Sequence, residues 1–516
     1  MIRSFLTVSV GTLASRLLGF ARDAMIAALL GAGPVADAFL IAFQLVNVVR
    51  RLLTEGALNA ALVPAWLRVR ETAGAAAAAA FAGTVLGTVS AALIAAAALL
   101  GVLMPFGIAA LAPGFVGHKT LQLAVSDARL MLAYLAFAGP ATVMMALMSA
   151  QHRFALTAFS PLLFNMTLIS VITALLVWRQ DPAYAATIIA ATVGIAGLLQ
   201  LLILLTRRGG GSVATPLRIS FDPDMRGFLG KAIPGMIASS GPQLLVVGGA
   251  ILASSSPSAV SWLYFASRLV ELPLGIVGVA MGTVLVPELT RALRGEDRIA
   301  IAQASSRGLE LALGLALPAT LGLIVLSGPI VRMLFEHGAF TALDTAATAH
   351  ALMWLALGLP AQVLIKALSP AFFAREDTLT PLLSVLKGFV IAIVLSVVLG
   401  HIFGPSGIAA SIALGAWSSA FALIRRVAAT FGFSIDAGAR RRLPRIVAAA
   451  LVMGGVLWLI ATFALPLTTL AQALVLLILI GGGIAIYGLH LALFGVVARG
   501  DALRTMRQTK PPDLRD

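Results

Sequence analysis

Residues 446–465 read IVAAALVMGGVLWLIATFAL, and just before them stands Arg440-Arg441-Arg442-Leu443-Pro444-Arg445. At about 1.5 Å of helix rise per residue, such an uncharged run reaches about 30 Å, the hydrocarbon thickness of a bilayer. The arginines at one end mark a cytoplasmic border, because Lys and Arg gather in loops on that side. The same grammar recurs along the whole chain. Gly, Pro and charged residues divide it into fourteen apolar segments, near 4–30, 35–62, 76–104, 122–150, 157–178, 184–206, 227–253, 258–286, 304–327, 345–373, 380–400, 405–424, 444–465 and 470–497. Lipid offers exposed backbone groups no partner, so every segment is expected to be a helix.

Composition agrees. Of 516 residues, 60% are apolar and 11% charged, against about 25% charged in soluble proteins. That excludes a soluble enzyme, a disordered chain and a coiled coil. The chain has no cysteine, which excludes disulfides, thiolate metal sites and cysteine nucleophiles. The longest hydrophilic gap is 207–226, too short for a soluble domain. The first apolar stretch contains Arg16, Arg22 and Asp23 and lacks a small-residue cleavage site, so it is expected to be a retained helix rather than a signal peptide.

The basic residues set an orientation. With the N-terminus inside, 24 Lys and Arg fall in cytoplasmic segments and three, Lys119, Arg179 and Arg332, outside. The net charge of +15 is therefore topological, nucleic acid is not an expected partner, and both termini are expected in the cytoplasm. A weak internal repeat aligns residues 36–68 with 259–291, both ending Leu-Val-Pro-x-x-x-Arg. It predicts two parallel six-helix lobes, 1–215 and 216–430, followed by two further spans and a tail in 431–516.

Nine Lys and Arg remain inside or at the ends of spans, each central one costing about 2.5–3.5 kcal/mol to insert. For Arg129, with Asp127 nearby, and for Lys231, Lys366 and Lys387, the expected explanation is structural: snorkelling or ion pairs within the bundle. The first, second and eighth spans read differently. Asp37, Gln44, Arg51 and Glu55 form one stripe at helical spacing, Arg16 and Asp23 share a face with Arg22 beside it, and Arg268 and Glu271 are i,i+3 neighbours. Polar faces on several spans predict a water-filled cavity. Because guanidinium stays charged and grips phosphate oxygens at two points, that cavity suits a phosphate or pyrophosphate anion. No phosphate loop, metal-ligand cluster or paired catalytic carboxylates are evident, so neither catalysis, nor a metal, nor a cofactor is expected.

Ser15-Arg16-Leu17-Leu18-Gly19-Phe20-Ala21-Arg22-Asp23, then Asp37-Ala38-Phe39, Asn47-x-x-Arg50-Arg51-x-x-x-Glu55-Gly56-Ala57 and Val63-Pro64 resemble the MurJ/MviN family, the bacterial lipid II flippases of the multidrug/oligosaccharidyl-lipid/polysaccharide exporter superfamily. Phe159-x-Pro161-x-x-x-Asn165, Arg268-x-x-Glu271-x-Pro273-x-Gly275, Gly338-Ala339-Phe340 and Phe372-Phe373-Ala374-Arg375-x-Asp377-Thr378-x-Thr380-Pro381 extend the resemblance through both lobes. It implies an inner-membrane protein that flips undecaprenyl-pyrophosphate-linked disaccharide-pentapeptide outward by alternating access, its last two spans forming a groove for the polyprenyl tail. Arg16, Arg22, Arg50, Arg51 and Arg268 would then hold the substrate, with Asp23, Asp37, Asn47, Glu55 and Glu271 in support. Membrane lipids and wall-synthesis proteins are the further partners implied. One departure stands out: some members hold a sodium-binding carboxylate in the seventh span, whereas residues 231–256 contain neither Asp nor Glu. Two other readings stay open, an exporter of another polyprenyl-pyrophosphate glycan or of a drug, and a non-transporting scaffold.

Overall fold

The computed structural model describes residues 2–54, 57–151, 154–206, 217–220, 222–239, 248–281, 298–373, 377, 379–431, 436–464 and 469–496. Regular structure among them is helical throughout. The helices are α1 (Ile2–Leu30), α2 (Pro34–Thr54), α3 (Ala57–Leu111), α4 (Lys119–Met131), α5 (Ala133–Ala150), α6 (Phe154–Trp178), α7 (Pro182–Thr206), α8 (Pro223–Ser239), α9 (Ala259–Ala280), α10 (Arg298–Val325), α11 (Ser327–Phe335), α12 (Ala342–Leu357), α13 (Leu359–Phe373), α14 (Leu379–Phe431), α15 (Ala437–Ala464) and α16 (Thr469–Leu493). The described residues of the fourteen apolar segments fall mostly on these helices, with 248–253 helical outside them.

Two helices outrun any bilayer. At 55 and 53 residues, α3 and α14 would each measure about 80 Å if straight. Both are broken by a glycine at positive φ, Gly74 (φ 87°) and Gly404 (φ 59°), a conformation that costs an L side chain dearly. Pro405 follows the second break, and a Cβ on Gly407 would strike the Leu399 carbonyl. The chain therefore turns sharply here, dividing α14 where the sequence separates 380–400 from 405–424. A gentler bend of 40° joins α12 to α13 at Gly358. Large apolar side chains such as Phe106 (74% exposed) and Phe463 (79%) point outward, as lipid permits and water does not.

Met1–Phe265, Leu334–Thr345 and Leu395–Ile408 form one compact unit. Within it α1 packs on α6, α2 on α4, and α5 on both α3 and α7. Leu62, Phe81, Val85, Leu147 and Phe228 are core residues of the α3–α5–α8 region. Ala266–Met333, Ala346–Val394 and Ala409–Asp516 form the second unit, in which α10 packs on α13 and α15, and α15 on α16. Pro318 has no N–H for the Gly314 carbonyl one turn earlier. Tyr487 of α16 donates its hydroxyl to that carbonyl at 2.7 Å, so the proline's missing hydrogen bond becomes a tie between helices.

Candidate functional site

On α1 the buried face carries Arg22 and Asp23, 4% and 1% exposed. Arg22 donates from Nε (3.0 Å) and one terminal nitrogen (2.7 Å) to Asp23 Oδ1, and from the other nitrogen to Asn165 Oδ1 (2.9 Å). Asn165, on α6, donates through Nδ2 to the Ser15 carbonyl at 3.1 Å. The Phe43 ring of α2 lies 4.8 Å under the guanidinium, a cation–π contact. Tyr264 completes the setting, its hydroxyl 3.5 Å from Asp23 Oδ1. The family resemblance gives Arg22 to the substrate. In this conformation the fork is closed, with every nitrogen spent inside the unit.

Asp37, which helical spacing places in a stripe with Gln44, Arg51 and Glu55, is 1% exposed. Its carboxylate accepts the Ser258 N–H at 2.7 Å, the Ser261 N–H at 2.9 Å and the Ser261 hydroxyl. These are the orphan donors of the first turn of α9, so Asp37 caps a helix more than 200 residues away in sequence. The neighbouring chain ends are tied as well. Ala339 N–H donates to the Ala28 carbonyl at 2.8 Å, and a Cβ on Gly338 would strike that same oxygen, so only glycine fits there. Trp262 Nε1 donates to Asp344 Oδ1 at 3.0 Å, while Asp344 Oδ2 accepts from the Thr341 N–H and hydroxyl. Phe265, Phe335 and Phe340 pack ring to ring beneath, with Phe20 against Phe335.

The second unit carries Arg268 and Glu271, one turn apart on α9 and paired at 2.7 Å, with side chains 15% and 34% exposed. Seven residues beyond Glu271, at helical register on the same face, Lys366 Nζ of α13 lies 3.7 Å from where a Cβ on Gly278 would sit. Arg16 is exposed and Asn47 buried. The side chains of Arg50, Arg51 and Lys231, and Glu55 altogether, lie outside the described residues. The expected neighbour of Arg129 is not its partner: Arg129 Nε donates to the Gly101 carbonyl at 2.9 Å. Sequence reasoning missed Phe43, Tyr264, Ser258 and Ser261, none of which carries a local signal. Asn165 did appear in a motif, but without a role.

Among the described residues no cluster of His, Cys, Asp and Glu is arranged to hold a metal ion. Comparison with known proteins now adds kinship. Residues 26–479 match the family described as Lipid II flippase MurJ. A probable lipid II flippase MurJ of Rhizobium meliloti (strain 1021) is 37% identical, over 94% of this chain and 92% of its own length. The lipid II flippase MurJ of Burkholderia cenocepacia (strain J2315) is 31% identical, over 89% of each chain. Among solved structures, a lipid II flippase MurJ in an inward closed conformation superposes with a TM-score of 0.78 at 24% identity, over 95% of this chain and 99% of its own. An inward-facing multidrug resistance MATE transporter of the MOP superfamily superposes at 0.69 and 13% identity, over 83% and 98%; both likenesses speak for the fold. With the family match covering most of its helices, this multi-pass membrane protein belongs to the lipid II flippase MurJ family.

Proposed function

We propose that the protein carries lipid II from the cytoplasmic to the outer face of the bacterial inner membrane by alternating access, without catalysis, and with both termini in the cytoplasm. Kinship over nearly the whole chain supports the substrate. The mechanism rests on one observation, the Asp37 cap on α9. Its bonds join a side chain to backbone donors that water satisfies equally well, so the joint opens without leaving a polar group stranded. Such a joint is a latch rather than a core.

Arg16, Arg50, Arg51 and Arg268 are assigned to the pyrophosphate, as guanidinium forks matching phosphate oxygens. Arg22 joins them only in a conformation that frees it from Asp23 and Asn165. Asp23, Asp37, Glu55 and Glu271 take the guanidinium groups back after release, with Asn47 in support. In the second unit, α10, α12, α14 and α15 border an apolar groove of about 400 Å³, lined by Leu321, Trp354, Leu414, Trp417 and Leu451 among others, and we assign the polyprenyl chain to it. Among the described residues α16 contributes none to this lining, whereas the resemblance implies a groove formed by the last two spans.

The electrical field favours this direction. Moving one negative charge outward across an inside-negative potential of about 100 mV gains about 2.3 kcal/mol. With no carboxylate in residues 231–256, transport is expected to follow membrane potential and to need no sodium. The test is transbilayer movement in vesicles, measured with lipid II and with other polyprenyl-pyrophosphate glycans, under imposed potential and with or without sodium. Movement of lipid II that slows when the potential is collapsed supports the proposal. Movement of another glycan in preference to lipid II, or strict sodium dependence, overturns it. Single cysteines introduced at Ser256 and Thr505 are expected to label from opposite faces, and labelling from one face would reject the orientation.

A further inference from the structure

Asp127 stands apart from every carboxylate discussed so far. It is 2% exposed, lies eight residues into a 32-residue apolar span, and so sits about 12 Å from that span's start. Its Oδ1 is fully buried without a hydrogen-bond partner among the described residues. On α4 the neighbours Ala124, Val125, Ala128 and Met131 are buried with it, and this face packs against α2, α7 and α3.

Among the described residues, the charged groups on those elements are engaged elsewhere or exposed. Helix α7 has none, and the Asp181 before it accepts the Ala183 and Tyr184 N–H groups; its titratable Tyr184 is exposed. On α2, Asp37 is spent on Ser258 and Ser261, and Arg50 and Arg51 have side chains outside the described set. On α3 the charges are Arg68, Arg70 and Glu71, thirty or more residues before Gly101, the residue that α4 touches through Arg129. Helix α5, which follows, contributes only the titratable Tyr134. On α4 itself Lys119 and Arg129 are exposed, as is His118 just before the helix, and Arg129 serves Gly101. Among the described residues, no ion pair and no hydrogen bond reaches the Asp127 carboxyl.

An ionised carboxylate without counter-charge or donors is among the costliest groups to bury, whereas a neutral carboxylic acid is tolerable. We propose that Asp127 is a proton-binding site, occupied in the conformation described here and emptied when α4 parts from its neighbours and water reaches the carboxyl. Protonation and conformation are then linked: low pH favours the packed arrangement, and raising the pH favours arrangements that hydrate α4. On the proposed orientation the site opens toward the outer face, so this inference rests on the flippase reading for its direction, though not for its existence.

The experiment is pH-difference infrared spectroscopy on the full chain in bilayers without substrate, so it stands apart from any test of flipping. Wild-type protein is expected to show a protonated-carboxyl band at neutral pH that Asp127→Asn lacks and Asp127→Glu retains at a shifted position. A neutral-pH spectrum unchanged by Asp127→Asn overturns the proposal, because the group was then already ionised. A second measurement covers a variant that inserts poorly. Hydrogen exchange of α4 in wild-type protein is expected to rise with pH beyond the intrinsic chemical rate, and exchange following the intrinsic rate alone overturns the linkage.

Discussion

Arg22 with Asp23 and Arg268 with Glu271 are the same chemistry in two settings. In the first unit the guanidinium is 4% exposed and held by Asp23, Asn165 and the Phe43 ring. In the second Glu271, one turn away, is paired with it, and the two side chains are 15% and 34% exposed. A buried ion pair is held by everything around it, while a partly exposed one exchanges partners at lower cost. The difference therefore separates an arginine that organises helices from one poised to turn to an anion. Residue type alone does not distinguish them.

The largest effect should come from breaking the buried pair. Arg22→Ala leaves Asp23 as an uncompensated charge, and removing one partner of a buried pair costs about 3–5 kcal/mol. Thermal unfolding in detergent is expected to show a clear fall in Tm, and flipping is expected to vanish with it. Arg22→Lys should recover only part of the stability, since one ammonium cannot serve Asp23 and Asn165 in fork geometry. Wild-type stability in Arg22→Ala would erase the contrast between the two units.

Next in size is the cap. Asp37→Ala removes the acceptor for two N–H groups at the start of α9, and losing a helix cap typically costs about 0.5–2 kcal/mol. Asp37→Asn keeps an oxygen and should cost less. The distinguishing readout is accessibility of a cysteine placed at Ser258, which should rise in Asp37→Ala if the cap latches this end of the unit. Unchanged labelling would reduce Asp37 to a local stabiliser.

How much of this was legible beforehand follows from the distance over which each feature is specified. The helices and their breaks are written locally: an apolar run, a Gly-Pro pair at 404–405, a basic flank. That Arg22 and Asp23 belong together is also local. That Asn165, 143 residues away, takes the third bond is not, and neither is the use of Asp37. Helical spacing placed Asp37 in a stripe with Gln44, Arg51 and Glu55, but spacing fixes only the face on which a side chain emerges. What waits there, the first turn of α9, comes from tertiary packing. Arg129 makes the same point, since its sequence neighbour Asp127 looked like a partner while the Gly101 carbonyl, 28 residues back, accepts its bond.

A smaller effect is expected at a part-buried counterpart of the Asp37 cap. Asp377 Oδ1 accepts the Thr380 N–H at 3.0 Å at the start of α14, and hydrogen bonds from the Thr380 side chain and backbone hold its carboxyl below the usual range. A depressed carboxyl contributes stability that is present above its ordinary value of about 4 and is lost as pH falls through the lower, folded value. Asp377→Ala should therefore lower stability by about 0.5–1 kcal/mol at neutral pH and by nothing measurable in strong acid, where the wild type has lost the same contribution. An equal difference at both pH values would show that the side chain acts by packing rather than by its charge.

Stability should change least, and transport most selectively, at Arg268. The pair is only partly buried, its side chains 15% and 34% exposed, so Arg268→Ala is expected to lower Tm far less than Arg22→Ala does. If its guanidinium meets the pyrophosphate, the loss is instead a charge-assisted hydrogen bond of about 1.5–3 kcal/mol, or about ten-fold or more in flipping rate at limiting lipid II. Arg268→Lys should recover part of that, because a point charge keeps the attraction and loses the two-point grip. Glu271→Gln tests the other half: a carboxylate that competes with the anion for Arg268 should, once neutral, let lipid II bind more tightly and leave more slowly. Arg22 variants cannot show this split, since there stability and transport fall together. If Arg268→Ala instead lowers Tm as far as Arg22→Ala while flipping per folded molecule is unchanged, the two arginines have been assigned the wrong way round.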